Sequence, residues 1–153
     1  KKFNLFKIET IGDAYVAASG MPEDDLDHSR NVANFAIAVS HCTRVVLSPL
    51  DGSPINLRIG INSGRCCSGI VGVTNPRYCV FGDTVNTTAR LETTGEPGKV
   101  HCSMTTMIEH LKRAPDEFVH DSRGMIEMKG KGAFPSYWLS PTDDNQLVNK
   151  KGL

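Results

Sequence analysis

The sequence predicts an α+β fold in which helices pack on one face of a mainly antiparallel sheet. Short segments rich in β-branched and aromatic residues alternate along the chain with segments whose apolar residues recur every three or four positions. This mixed order is typical of an α+β sandwich, and the β-α-β-β-α-β arrangement is its simplest candidate. With 153 residues, 39% of them hydrophobic, the chain has the size of a single domain.

The first part of the chain predicts a β-hairpin and a long helix. The runs NLFKIE (4–9) and AYVAAS (14–19) favour strands, and Gly12 and Asp13 between them form a turn signal. The segment 26–47 contains no proline or glycine and predicts an amphipathic helix. Its apolar residues with helical spacing are Val32, Phe35, Ala36, Val39, Cys42 and Val46.

The middle of the chain predicts further strands and a second helix. Apolar residues alternate over 55–61, as in a half-buried strand, and 66–73 is expected to continue the same sheet. RYCVFG (77–82) predicts another strand, and behind it Asp83 and Gly95 are candidate N-cap and C-cap residues of a helix of about three turns. The residues expected on the buried face of 55–61 are Ile55, Leu57, Ile59 and Ile61.

The last part of the chain completes the alternating order. KVHCS (99–103) predicts a strand and MTTMIEHLKR (104–113) a helix. GMIEMKGKG (124–132) and PSYWLS (135–140) predict two more strands. Residues 141–153 are expected to form a polar tail.

Charge and cysteine content argue against several classes of protein. Lys plus Arg and Asp plus Glu are equal at 17 each, so neither nucleic acid nor an anionic membrane surface is expected as a partner. No run approaches the roughly 18 apolar residues that span a bilayer, and the first residues lack the apolar core of a signal peptide, so we expect a soluble chain. Disulfides and a zinc site are not expected, because the five cysteines are odd in number, scattered and without CxxC spacing, which indicates a reducing compartment. They are Cys42, Cys66, Cys67, Cys79 and Cys102.

The predicted hairpin carries two acidic residues, each with more than one explanation. Asp13 follows Gly12 at the turn, so its carboxylate either bonds its own backbone or binds a metal ion. Glu9 lies four residues earlier beside Lys7, where a solvated strand edge is the ordinary explanation.

Other polar residues are equally ambiguous when taken singly. Asn86 and Arg90 are four residues apart, so on a helix they share a face that either contacts one anion or is only an exposed polar stripe. Lys129 and Lys131 lie in KGKG, which is either a phosphate contact or a basic turn. Cys79 has the ordinary explanation of a small buried hydrophobic residue.

Four segments in order resemble the catalytic domain of the class III nucleotidyl cyclases, and specifically the guanylyl cyclases. They are KIETIGDAYVAASG, LRIGINSGRCCSGIVG, NPRYCVFGDTVNTTARLETTGEPGKVHCS and MIEMKGKGAFPSYWL, and the resemblance runs from about residue 5 to residue 139. It implies a ferredoxin-like sandwich that converts GTP to 3′,5′-cyclic GMP and pyrophosphate. It also implies a catalytic domain over 1–140 that lacks the family's N-terminal strand and helix, followed by the tail 141–153.

The resemblance assigns the metal and base contacts. Asp13 matches one of the family's two metal-binding aspartates, which hold two Mg²⁺ or Mn²⁺ ions per site; the other aspartate belongs to the earlier strand, before Lys1. Glu9 and Cys79 match the residues that read guanine, since a carboxylate accepts hydrogen bonds from N1 and N2 and a thiol donates to O6.

The resemblance assigns the remaining contacts to the helix and the KGKG turn. Arg90 matches the arginine that stabilises the transition state, and Asn86 the asparagine that positions the ribose. Lys129 matches the lysine that holds the terminal phosphates, with Lys131 as the less favoured alternative, and Asp83 is assigned to structure as a helix cap.

The resemblance also implies a dimer and a cytoplasmic location. A homodimer or a paired cyclase subunit, arranged head to tail, would bring the metal-binding residue of one chain to the base-, Arg- and Lys-bearing residues of the other. The chain would be a cytoplasmic domain, alone or within a larger membrane or sensor protein. Two alternatives stand beside catalysis: a truncated cyclase-homology domain that binds nucleotide or a partner subunit without turnover, and a non-enzymatic ferredoxin-like interaction module.

Overall fold

The computed structural model describes residues 2–142 and has the expected alternating order of strands and helices. Most of the predicted elements are confirmed, including the first hairpin and all three helices. The predicted tail falls almost entirely outside the described residues. The elements are β1 Phe6–Ile11, β2 Ala14–Ala18, α1 His28–Cys42, β3 Ile59–Ile61, β4 Cys67–Val71, β5 Arg77–Phe81, α2 Asp83–Thr93, β6 Val100–Ser103, α3 Met104–Arg113, β7 Phe118–Met128 and β8 Gly132–Pro141.

The strands form one four-stranded sheet and two separate hairpins. The larger sheet has the order β3-β6-β8-β7, in which β3 and β6 are parallel and the other neighbours antiparallel. The hairpins are β1–β2 and β4–β5. The expectation that 66–73 would continue the sheet of 55–61 is therefore wrong, because β4 pairs with β5 in a sheet of their own. The α+β architecture is confirmed.

The core lies between α1 and the four-stranded sheet. Ala33, Ala36 and Ile37 of α1 are almost fully buried, and the small alanine side chains let the helix approach the strands closely. Alternate strand residues meet them from the sheet, and α3 with the start of β7 completes the cluster. The other buried members are Ile61, Val100, Cys102, Ala114, Phe118 and Leu139.

The helix α1 is shorter than the sequence predicts, because its last predicted turns form a loop. The backbone N–H groups of Arg44 and Val45 bond to His41 and Cys42, which are turn bonds beyond the end of the helix. Further along, a bridge pairs Leu47 with Pro54 and closes the loop. The helical spacing of apolar residues therefore continues past the point where the backbone leaves the helix.

The strand β3 is also shorter than predicted, covering only the last three residues of 55–61. Ile55 is 42% exposed, so the predicted buried face does not extend to it. Gly60 lies at the centre of β3 directly against α2: a Cβ added there would stand 2.3 Å from the backbone nitrogen of Glu92. The absence of a side chain at Gly60 thus lets α2 lie against the strand.

Both caps of α2 differ from the prediction. Gly82, with φ of 127°, is the N-cap, and Asp83 is the first helical residue, so Asp83 does not cap the helix. The C-cap is Thr94, whose hydroxyl donates to the Arg90 carbonyl at 2.7 Å, and Gly95 follows it. A glycine is favoured at the N-terminal end because its backbone lies in the left-handed region.

Two further sequence predictions concern cysteines and membrane spans. All five cysteines are free. Cys102 is fully buried between α1 and the sheet, and burial raises the pKa of its thiol to about 12. Among the described residues, no helix combines the length and the apolar character that crossing a bilayer requires.

Candidate functional site

A β-bulge in β1 determines where Glu9 lies. Lys7 pairs with Ala17 but Glu9 pairs with Val16, so Ile8 is an extra residue in this strand. Simple alternation would place Glu9 on the same face as Lys7. The bulge instead places Glu9 on the face of Phe6, while Asp13 is exposed at the turn of the hairpin.

The face of β1 that carries Phe6 packs against β5, the strand of Cys79. The rings of Phe6 and Tyr78 meet edge to face with centroids 5.4 Å apart. Cys79 is the next residue in β5, half-buried and paired with Gly69 of β4. The fold therefore brings the two strands of the predicted base-reading pair together. Because Tyr78 and Cys79 point to opposite faces of β5, this ring contact does not itself join Glu9 to Cys79.

A second group of candidate residues meets at α2 and the turn between β7 and β8. Asn86 and Arg90 lie one helical turn apart on α2, with Asn86 exposed and Arg90 half-buried. The guanidinium of Arg90 lies beside Gly130: a Cβ added at Gly130 would be 3.9 Å from Nη2 and 4.0 Å from Nη1. Lys129 is the neighbour of Gly130 in the turn and is exposed. The guanidinium of Arg90 thus lies against the turn that carries Lys129.

An ion pair fixes the turn to the start of α2. Lys131 Nζ donates to Asp83 Oδ2 at 2.6 Å. Asp83 therefore pairs with Lys131 instead of capping α2. As a carboxylate in the first turn of the helix, it also interacts favourably with the helix dipole. The ion pair also distinguishes the two lysines of KGKG, since Lys131 is bound to Asp83.

The candidate side chains are without partners in residues 2–142, whereas several other charged side chains are paired. Arg30, Arg58 and Lys99 each form an ion pair with a glutamate. No hydrogen bond or ion pair within the described part of the chain engages the candidate side chains, which are Glu9, Asp13, Cys79, Asn86, Arg90 and Lys129. Unpaired polar groups of both signs on neighbouring elements are suited to binding a polar, charged ligand.

Asp13 is the carboxylate that the family resemblance assigns to a metal ion. Asp13 is exposed at the hairpin turn, and no group of three or more His, Cys, Asp or Glu residues that could hold an ion is present between residues 2 and 142. Mg²⁺ is commonly bound by one or two carboxylates together with phosphate oxygens and water. Asp13 therefore fits one divalent ion that arrives with a phosphorylated ligand, and it does not form a complete site.

The C-terminal end of α2 is held by residues that the sequence did not single out. His101 Nδ1 donates to the Leu91 carbonyl at 2.8 Å, and Arg123 Nη1 donates to the Thr94 carbonyl at 2.5 Å. Arg123 also stacks over the Trp138 ring, 4.6 Å from its centroid. Burial lowers the pKa of His101, so the neutral imidazole is favoured in this contact. A lone His and a lone Arg in strands give no pattern from which this role could be predicted.

Comparison with known proteins gives the class to which this fold and site belong. The family model of the adenylate and guanylate cyclase catalytic domain matches residues 1–141. The chain therefore belongs to this family. The predicted class III cyclase fold is confirmed by a solved structure, the guanylate cyclase domain of RhGC from Catenaria anguillulae in complex with GTP. The two are 37% identical with a TM-score of 0.84, over 92% of this chain and 75% of the other.

Similar full-length proteins are guanylyl cyclases. The soluble subunit beta-2 of guanylate cyclase from Rattus norvegicus is 46% identical over 136 residues, which are 89% of this chain and 20% of that protein. Guanylyl cyclase C from Sus scrofa is 44% identical over 145 residues, which are 94% of this chain and 13% of that protein. The chain thus spans a fifth or less of the length of these relatives.

Proposed function

We propose that this chain is a guanylyl cyclase catalytic domain, which converts GTP to 3′,5′-cyclic GMP and pyrophosphate. The observation that carries the proposal is the meeting of Arg90 with the turn of Lys129, where both cations are without partners among the described residues. Two such cations suit the phosphates of a nucleoside triphosphate. The similarity to guanylyl cyclases and to a GTP-bound cyclase domain supports this substrate.

Glu9 and Cys79 select guanine in this proposal. The Glu9 carboxylate accepts hydrogen bonds from N1–H and the N2 amino group, and the Cys79 thiol donates to O6. Adenine presents the opposite pattern, with an amino group at position 6 and an unprotonated N1, so it leaves both side chains unpaired. The strands that carry these two residues, β1 and β5, are neighbours in the fold.

Arg90, Lys129 and Asn86 act on the ribose and the phosphates. The planar guanidinium of Arg90 can donate two parallel hydrogen bonds to the oxygens of the transferring phosphate, where negative charge builds up as the ribose 3′-oxygen attacks. Lys129 balances the charge of the terminal phosphates, which leave as pyrophosphate. The side-chain amide of Asn86, one turn before Arg90, orients the ribose.

Asp13 is the proposed ligand for Mg²⁺ or Mn²⁺. A divalent ion bound there with the triphosphate would neutralise phosphate charge and lower the pKa of the ribose 3′-hydroxyl. Two ions per site, as implied by the family resemblance, belong to the same proposal; within residues 2–142, Asp13 is the carboxylate assigned to them.

A head-to-tail homodimer, or a pair with another cyclase subunit, is the proposed assembly. Both hairpins carry large apolar side chains that are about half or more exposed, and such surfaces are commonly buried between subunits. The residues are Ile11, Tyr15, Ile70, Val71, Val73 and Phe81. We also propose that the domain is cytoplasmic, alone or within a larger membrane or sensor protein; the relatives it matches are several times longer than this chain.

The test is cyclic nucleotide formation from GTP and, separately, from ATP by the full chain with Mn²⁺ over a range of protein concentrations. The proposal predicts cyclic GMP from GTP, in amounts that rise more steeply than linearly with protein because two chains form each site. Equal rates with ATP would contradict the base assignment. GTP binding without product would favour the alternative of a cyclase-homology domain that binds nucleotide without turnover.

A further inference from the structure

Gly69 in the middle of β4 has none of the usual structural reasons to be a glycine. Its φ angle is outside the left-handed region, so the backbone does not require it. An added Cβ would meet no described atom within 4 Å, so packing within the chain does not require it either. Gly60 in β3 is the contrasting case, since a Cβ there would collide with the backbone of α2.

A glycine without such a reason is unfavourable in a strand. It loses more conformational freedom on folding than other residues and has no side chain to cover the neighbouring strand. Where neither the backbone nor the packing accounts for it, a strand glycine often marks a place where a ligand or another backbone approaches closely.

The position of Gly69 on the β4–β5 hairpin indicates which ligand approaches it. Gly69 pairs directly with Cys79 across the β4–β5 hairpin, so both residues belong to the same face. Directly opposed Cβ atoms in an antiparallel pair stand about 4.5–5.5 Å apart, so a side chain at position 69 would stand beside the Cys79 thiol. Cys67 and Val71 lie on the same face of β4, one on each side of the space left by the missing side chain of Gly69.

We propose that Gly69 is a specificity-determining residue whose missing side chain leaves the space beside Cys79 that the guanine ring of GTP occupies. The proposal rests on the assignment of Cys79 to the base in the proposed function. A side chain at position 69 then excludes the base while leaving the phosphate contacts of Arg90 and Lys129 intact. Affinity for GTP falls, whereas the affinity for pyrophosphate does not.

The experiment compares Gly69→Ala and Gly69→Val with the unmodified full chain in the Mn²⁺ assay. Gly69→Val is expected to raise the KM for GTP at least about tenfold and Gly69→Ala by less, with kcat at saturating GTP within about threefold. Inhibition by pyrophosphate, used as a probe of the phosphate contacts, stays unchanged. The melting temperature stays the same or rises, since both side chains suit a strand better than glycine does.

A matched control places the same side chain on the other face of β4. Ser68 is the neighbour of Gly69 and pairs with Val80, so Ser68→Val adds an apolar group to the same hairpin away from Cys79. Its KM for GTP is expected to stay within about twofold of the unmodified chain.

Each contrary result has a defined meaning. An unchanged KM for GTP in Gly69→Val would overturn the inference while leaving the proposed function intact. An equal loss of pyrophosphate inhibition, or dissociation of the dimer in sedimentation, would also overturn it, because the glycine would then serve the whole site or a subunit contact. If the unmodified chain neither binds GTP nor forms cyclic GMP, the proposed function fails first and the inference fails with it.

Discussion

At the scale of single residues, four cations around the end of β7 and α2 differ in whether they have partners. Lys131 is held by Asp83, and Arg123 by a backbone carbonyl and an aromatic ring. Arg90 and Lys129 lie next to these pairs but have no such partner within residues 2–142. The ion pair of Lys131 with Asp83 favours Lys129, the first choice from the sequence, as the proposed phosphate contact.

Replacing Arg90 tests its proposed role directly. Arg90→Ala is expected to lower kcat for cyclic GMP formation about 10²- to 10³-fold, because the lost hydrogen bonds act on charge that develops in the transition state. GTP affinity should change only a few fold. Steady-state kinetics with GTP and a GTP titration measure the two effects.

The control for Arg90 is another arginine near the same helix. Arg58 pairs with Glu92 of α2, and Arg58→Ala should leave kcat within about threefold, as expected for the loss of a partly exposed ion pair. If Arg90→Ala weakened GTP binding as much as it lowered kcat, Arg90 would be a ground-state contact and its assignment to the transition state would be wrong.

Exchanging the base-reading pair tests the guanine assignment. Glu9→Lys combined with Cys79→Asp places a donor where the carboxylate was and an acceptor where the thiol was. This pattern suits adenine, so the ratio of kcat/KM for ATP to that for GTP is expected to rise at least about tenfold. Retained preference for GTP in the double variant would show that these side chains do not read the base.

At the scale of secondary-structure elements, a buried histidine joins α1, α3 and β7. His110 of α3 is 1% exposed; its Nε2 donates to the Ser29 carbonyl at 3.1 Å and its Nδ1 accepts from His120 Nε2 at 2.9 Å. This arrangement requires a neutral His110 ring. Burial is the main reason that the pKa of His110 is lowered to about 4.

This histidine makes stability depend on pH in a defined direction. An unfolded chain protonates His110 below about pH 6.5, whereas the folded chain resists protonation until about pH 4. The unfolded state therefore binds more protons in this window, and the free energy of unfolding falls as the pH drops from about 6.5 to 4, by up to about 3 kcal/mol. Urea unfolding at a series of pH values measures the slope.

A variant assigns the pH dependence to this residue. His110→Gln keeps hydrogen-bonding groups, but its side chain does not titrate. The free energy of unfolding should therefore fall less steeply between about pH 6.5 and 4. Near pH 7 the variant should be less stable than the unmodified chain. An unchanged slope in His110→Gln would assign the dependence to other groups, of which His120 is the nearest.

At the scale of the whole molecule, the two hairpins are not hydrogen-bonded to the four-stranded sheet within the described residues, and they expose apolar side chains. A pair of chains that buried both hairpins would remove this surface from water. The same association would bring Asp13 of one chain to the Arg90 and Lys129 of the other in the proposed head-to-tail dimer, so assembly and activity would be coupled.

A charge placed on one hairpin tests this coupling. Ile70 is 75% exposed, so Ile70→Lys should leave the melting temperature nearly unchanged but weaken association, which lowers cyclic GMP formation most at low protein concentration. Leu50→Lys is the matched control, since Leu50 is 95% exposed in the loop after α1. Sedimentation with parallel assays measures both effects. Equal behaviour of the two variants would exclude Ile70 from the interface.

The sequence by itself determined the order of helices and strands and indicated the residues of the proposed site. Hydrophobic periodicity and turn residues depend on near neighbours in the chain, and for this reason α2, α3 and the first hairpin could be predicted closely. The motifs around Glu9, Asp13 and Arg90 were sufficient to indicate the cyclase family, which the match over residues 1–141 confirms.

Only the tertiary structure decided which of these residues meet. The bulge at Ile8 moves Glu9 to the face of Phe6, and Asp83 pairs with Lys131 from 48 residues away instead of capping its helix. Likewise, β4 pairs with β5 and is not part of the four-stranded sheet, so Gly69 lies opposite Cys79. Contacts of this kind depend on the register of strands and on partners distant in the chain, which local periodicity does not encode.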